Sequence, residues 1–376
     1  MEKSTIFQRF GAFVQFYEAS NAYIIPSTKK GGNLLAVIIY PRTMNWSYMK
    51  QRPQQLMAQL GSLGHQVFFE NLAPLDKEFK EIEPNVYLFT DTKTFLHKKL
   101  PALRKQHPIV VWTTWSKLRT RISTLFKPDI TIYDCCDEFP HWAKYEPKMI
   151  DEADQVVCTA EVIHTRLSLA YPDKPLTLIP NGADSSFFHI PFSERPADLP
   201  PGPVVAYIGA WAYWVDHELF AKAAIRFPDV HFVSIGAPYG SSGDYSNLPN
   251  VHILGEKPHQ ELKRYLKHID VALIPFQYHP ITLATNPVKA YEYMASGVRV
   301  LSTALPECIA MEPHVTTATT HDDFLGKLAA MLHRPDTAEH KLVRIAYARE
   351  NRWVERGLKA DQVIRQAIID KGLSVQ

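Results

Sequence analysis

Within Ala284–Thr303 (ATNPVKAYEYMASGVRVLST), Lys289 closely follows Asn286-Pro287 and stands three positions ahead of Glu292. Pro287 suits the first turn of a helix, where its missing N–H has no partner to lose. Gly297 suits the left-handed residue just past a helix end. Lys289 and Glu292 would then share one helix face. A loop-to-helix junction offers free backbone N–H groups and the positive end of the helix dipole, where a phosphate can be held. Lys289 adds a mobile cation one turn in, and Glu292 can accept hydrogen bonds from sugar hydroxyls. A nucleoside diphosphate needs that combination.

Asn286-Pro-Val-Lys289, Glu292-Tyr-Met-Ala-Ser-Gly297 and the Val-Arg-Val that follows resemble the nucleotide-sugar signature of two-domain glycosyltransferases of the GT-B fold, notably the retaining family-4 group, also called group 1. The resemblance runs from residue 34 to residue 370 and is more specific in its second half. It implies an α/β chain with two Rossmann-like, doubly wound domains and a cleft between them. It also implies transfer of a sugar from a nucleotide-sugar donor, a UDP-sugar foremost, to a glycan or lipid-linked acceptor, with retention of configuration and without metal. The nucleotide-sugar is a co-substrate, and no cofactor is expected. Glu292 takes the place of the ribose-binding carboxylate. The RPQQL and YDCCDEF segments are similar to those of transferases for bacterial cell-envelope polymers, the teichuronic-acid type among them. Two departures stand out. Ala284 occupies the place where the group often carries a first glutamate, and the loop after Tyr207-Ile-Gly-Ala210 lacks the usual arginine. They motivate a rival reading, a non-catalytic partner that kept the fold; a third is a nucleotide-sugar epimerase.

Ligands of open α/β sheets bind beyond the carboxyl ends of strands, so the loops there supply the other candidates. On the donor side these are Gly209, Lys257 and Asn286, beside Lys289 and Glu292. Trp211, Tyr213, Trp214 and Asp216 follow Gly209, and packing is the plain reading of the aromatics. In the first half, Arg42, Trp46, Lys50 and Arg52 lie between a strand and a helix, a basic cluster suited to an anionic acceptor. Trp46, Arg52 and His141 are the candidate acceptor contacts. Asp134 and Asp137, at the end of an apolar strand, are candidates for a base or for holding acceptor hydroxyls. Against each stands a bland alternative: a solvated basic face, a capping carboxylate, a structural histidine. Asn181-Gly-Ala-Asp184 resembles the turn that ends the first domain in this group. No G-x-S-x-G, P-loop or zinc-ligand spacing occurs.

Alternating apolar strand and amphipathic helix must position these residues, the pattern of doubly wound α/β domains. A chain of 376 residues is comfortable for two. The boundaries expected are an extension at 1–33, an acceptor domain at 34–190, a donor domain at 204–360, and a last helix at 361–376 packing back on the first domain. The proline-rich segment Pro191–Pro203 marks the junction. A net charge of +2 gives no argument for nucleic acid. Cys135, Cys136, Cys158 and Cys308 have no framework spacing and read as thiols in a reducing compartment. No membrane-spanning run or secretory leader is apparent, so a cytoplasmic enzyme is expected. Phe7, Phe10, Phe13, Val14 and Tyr17 recur at helical spacing, which fits a packed helix or an amphipathic segment at the inner membrane face.

Overall fold

Short apolar runs such as Val37–Tyr40 and Val271–Ile274 form strands with every residue buried, as parallel strands covered on both faces require. The computed structural model describes residues 35–189, 194–240, 245 and 247–373. The amphipathic pattern expected at 1–33 lies outside these residues.

The first sheet contains β1 (Val37–Tyr40), β2 (Gln66–Glu70), β3 (Lys80–Glu83), β4 (Val86–Phe89), β5 (Ile109–Thr113), β6 (Ile130–Cys135), β7 (Gln155–Cys158) and β8 (Leu176–Leu178), in the order β3-β4-β2-β1-β5-β6-β7-β8. Neighbours run parallel, with Val37 opposite both Gln66 and Ile109, except that β3 is an antiparallel edge on β4. The second sheet contains β9 (Val204–Ile208), β10 (His231–Ile235), β11 (Val251–Ile253), β12 (Val271–Ile274), β13 (Arg299–Thr303) and β14 (Val315–Ala318). Its order, β11-β10-β9-β12-β13-β14, is the 3-2-1-4-5-6 order of a doubly wound dinucleotide-binding sheet with the switch between β9 and β12. Residues 35–376 form one compact unit that holds both sheets.

Five helices matter for the site: α1 (Arg52–Ser62), α2 (His259–Leu266), α3 (Val288–Ala295), α4 (Ala338–Glu350) and α5 (Trp353–Asp370). Between α4 and α5 the helical C-terminal stretch is broken at Asn351–Arg352. The Asn181–Asp184 turn docks there: Ala183 N–H donates to Asn351 O at 2.8 Å, and Trp353 N–H donates to Ala183 O at 3.1 Å. A Cβ on Gly182 would meet the Arg352 carbonyl carbon at 2.8 Å, so a glycine is required for this approach. The chain's two crossings between lobes therefore lie side by side. α5 then returns to the first lobe. A Cβ on Gly357 would sit 2.4 Å from Gln59 Cβ of α1. His65 accepts from Ala36 N–H through Nδ1 and donates through Nε2 to Asp361 at 2.8 Å.

Candidate active site

The switch point of the second sheet carries a cation. β9 leads into Gly209 and β12 leads towards Phe276, and Lys289 of α3 lies against both. Its Nζ lies 4.9 Å from the Phe276 ring centroid and 5.5 Å from that of Tyr207, within cation–π range. A Cβ on Gly209, whose φ is +150°, would meet Lys289 Cε at 3.0 Å. Gly236, at the end of β10, packs closer still, since a Cβ there would fall 1.9 Å from Gly209 O. Gly255, after β11, has φ +71° and faces open space. Three adjacent strands thus lead into glycines, and the first of these, Gly209, lies against Lys289. Among the described residues no carboxylate forms an ion pair with it. Burial pushes its ammonium down to about 8, and the charge of Glu292 offsets part of that effect. A half-buried cation against ring faces, with no carboxylate paired to it among the described residues, is suited to take an anion.

Glu292, one turn on, is buried and accepts a hydrogen bond from His259 Nε2 at 2.9 Å. Burial disfavours the His259 cation, but the Glu292 carboxylate outweighs it and raises the pKa. Phe187 packs edge-on against the imidazole, with centroids 5.2 Å apart. Glu292 is thus largely enclosed and already has one partner inside the protein.

The polar groups of Asn286, expected at the donor site, are bonded within the protein. Its side-chain oxygen accepts from Asn181 N–H at 2.9 Å, its backbone oxygen accepts from Asn181 Nδ2 at 2.7 Å, and its own amide donates to Tyr291 Oη and Glu307. Asn286 therefore joins the lobes. Ala284 is 2% exposed and packs into the apolar cluster of the first lobe, where a glutamate would bury a charge. Lys257 is also spent elsewhere, on an ion pair with Asp198 at 2.7 Å. Asp216 caps the following helix through Leu219 N–H and takes His321, while Trp211 is buried in the second lobe's own core.

The expected basic cluster of the first lobe is neutralised internally. Arg52 forks onto Asp134, with Nε–Oδ2 at 2.8 Å and Nη2–Oδ1 at 2.9 Å, and the two side chains are 4% and 1% exposed. Trp112 Nε1 donates to the same carboxylate at 3.0 Å, and Arg52 Nη1 donates to Ile179 O at 2.8 Å. Neither the base expected at Asp134 nor the acceptor contact expected at Arg52 is available, because their charges are buried and committed to each other. Arg42 faces Glu70 at 3.6 Å and Lys50 pairs with Asp184 at 3.0 Å. The first sheet's switch point, between β1 and β5, is bridged by Tyr40 Oη to Thr114 Oγ1 at 2.7 Å. The open, charged switch point is thus the second lobe's.

Three first-lobe candidates keep accessible surface. Asp137, after β6, is half-buried, and burial pushes its carboxyl up to about 6. Exposed His141 joins Phe139, Trp142 and Trp115 in an aromatic group with centroids 4.7–5.9 Å apart. Trp46 is half-buried with its edge on Phe69, and its backbone N–H is fixed by Asn71 at 2.8 Å. Its loop is anchored from below by buried Gln54, whose amide reaches Tyr48 O at 3.0 Å. A cavity of about 280 Å³ near Lys127, Asp129, Asp154 and Lys371 lies at the opposite, amino-terminal ends of the first sheet's strands. Its Lys371 and Asp154 already pair at 2.7 Å.

His259, Gln54 and Gly236 were missed from sequence. The repeated Ile-Gly-Ala at 208–210 and 235–237 was a signal for the glycines; a lone histidine opening a helix gave none.

Residues 202–334 match the family model described as glycosyl transferases group 1. The glycosyltransferase TuaH of Bacillus subtilis (strain 168), named for teichuronic acid biosynthesis, is 25% identical over 335 residues, 74% of this chain and 82% of its own. Among solved structures, sucrose-phosphate synthase from Thermosynechococcus elongatus superposes with TM-score 0.68 at 17% identity, over 89% of this chain and 100% of its own. Anabaena Alr3699/HepE in complex with UDP and glucose gives TM-score 0.65 at 13% identity, over 88% and 99%. These structural likenesses place the fold as GT-B. No helix of the described residues is long and apolar enough to cross a membrane.

Proposed function

We propose that this chain, a hexosyltransferase of the group 1 glycosyltransferases with the GT-B fold, takes its sugar from a UDP-sugar and passes it to a hydroxyl of a cell-envelope glycan or its lipid-linked precursor, with retention. The observation that carries this reading is the unpaired Lys289 ammonium at the second lobe's switch point, with Glu292 one turn away. The diphosphate would lie against Lys289 over the glycine strand ends, and the ribose hydroxyls would bind Glu292. As the bond from the sugar to the diphosphate breaks, negative charge grows on the leaving oxygen. A cation partly withdrawn from water is worth more there than in bulk solvent. This account needs no metal.

The acceptor would approach from the first lobe. Trp115, Phe139 and Trp142 offer flat apolar faces to a sugar ring, and His141 borders them. Asp137, with its carboxyl near 6, has suitable strength to hold the attacking hydroxyl and take its proton. Neutralisation of Arg42, Lys50 and Arg52 favours a neutral sugar at this face over an anionic one. TuaH, by its name, acts in teichuronic acid biosynthesis, which supports an envelope polymer as the acceptor's class.

The test is incubation with a panel of UDP-sugars, following UDP release with and without acceptor oligosaccharides. Acceptor-stimulated release supports transfer. Sugar interconversion without an acceptor would replace it with an epimerase, and neither binding nor release with any nucleotide-sugar would leave a non-catalytic relative.

A further inference from the structure

Glu292 is held by a residue that no motif announced. Its Oε1 accepts from His259 Nε2 at 2.9 Å, and among the described residues no donor reaches Oε2. His259 is itself fixed from two further sides. It is the first residue of α2, and Pro258 before it, with φ −54°, sets the direction of entry. Phe187 closes one side of the ring at 5.2 Å. Phe187 belongs to the short turn Ser185–Phe188, which is capped by Asp184; that carboxylate is held by Lys50 at 3.0 Å and by Gln55 at 2.9 Å, both from the first lobe. A carboxylate on a helix ordinarily samples several rotamers, because its terminal torsion is broad. A hydrogen bond to one oxygen removes that freedom and leaves the other oxygen aimed.

We propose that His259 is a positioning residue for the donor site: its Nε2–H takes Oε1 of Glu292 and leaves Oε2 to accept from the vicinal hydroxyls of the nucleotide's ribose. The inference rests on the donor reading given above. It adds that discrimination for ribose depends on a residue that does not touch the nucleotide. Because His259 is braced by the turn that Lys50 and Gln55 hold, ribose recognition in the second lobe is tied to the first lobe's packing.

The experiment is calorimetric titration with UDP and with 2′,3′-dideoxy-UDP of the full chain and its His259→Ala, His259→Gln and Glu292→Gln variants. The parent should prefer UDP. His259→Ala should cut that preference about three- to tenfold, the scale of one hydrogen bond, while dideoxy-UDP affinity stays within about twofold. His259→Gln, whose amide can donate to the same oxygen, should restore most of the preference. It also keeps the test standing if the alanine variant fails to fold. If Glu292→Gln loses the preference while His259→Ala keeps it, the positioning role is overturned and the ribose reading survives. If the parent binds both nucleotides equally, or binds neither, the ribose reading falls and this inference falls with it.

Discussion

Arg52→Ala should destabilise the protein far more than removal of a surface arginine would. The guanidinium meets both oxygens of Asp134 at 2.8 and 2.9 Å and the Ile179 carbonyl at 2.8 Å, and its side chain is 4% exposed. Among the described residues, its loss leaves Asp134 with a single donor, Trp112 Nε1. Breaking a buried pair from one side costs about 3–5 kcal/mol, because the surviving charge stays buried and uncompensated. A folded domain has only about 5–15 kcal/mol in total. At about 2 °C per kcal/mol for a chain of this size, the melting point should fall by about 6–10 °C. Arg52→Lys should lose about half as much, since an ammonium cannot fork onto both oxygens. Arg52→Met combined with Asp134→Leu should recover part of the loss, because no charge is then stranded. The assay is thermal unfolding followed by circular dichroism, with UDP release measured on the same samples. If Arg52→Ala melts within a degree of the parent, the structural role is wrong. If Asp134→Asn abolishes turnover with an unchanged melting point, the carboxylate is catalytic after all.

Titration of UDP at rising pH should show affinity falling as Lys289 loses its proton near 8, with proton uptake on binding at that pH because the diphosphate raises its pKa. The same lysine, with folded pKa below its unfolded value, costs stability below 8, and that cost is relieved as pH rises towards 10.5. Lys289→Met should therefore stabilise the ligand-free protein at neutral pH, by at most about 3 kcal/mol, read by denaturant unfolding. His259 has a raised folded pKa, so its pairing with Glu292 stabilises fully below about 6.5 and is lost as pH rises through the raised value. His259→Gln should flatten that part of the stability profile. Gly236→Ala places a Cβ 1.9 Å from Gly209 O and should cost at least about 2 kcal/mol while weakening UDP binding, because it displaces the backbone under Lys289.

The strands were legible because parallel sheets bury both faces, so runs such as Val204–Ile208 and Ile109–Thr113 leave no polar alternation to confuse with helix. The edge strand Lys80–Glu83 was not, since its Lys-Glu-Ile-Glu has no apolar run. Val315–Ala318 was missed for the same kind of reason: two threonines interrupt it. At the site, sequence displays which groups are charged but not which are already paired. Arg52 meets Asp134 across 82 positions, and Asn181 meets Asn286 across 105. Such separations carry no local periodicity. Lys289 and Lys257 look alike as residues after apolar strands. The difference between them is Asp198, which comes to Lys257 from the lobe junction and leaves Lys289 alone with the Phe276 and Tyr207 rings. The His259–Glu292 contact joins two helices 33 positions apart and had no motif to reveal it.

The most direct test of the account is a crystal structure of the chain with UDP bound. It should place diphosphate oxygens within hydrogen-bond distance of Lys289 Nζ in front of Gly209, with the ribose hydroxyls on Glu292. A nucleotide bound away from the end of β9, or a Lys289 that remains unengaged while UDP is held elsewhere, would contradict it.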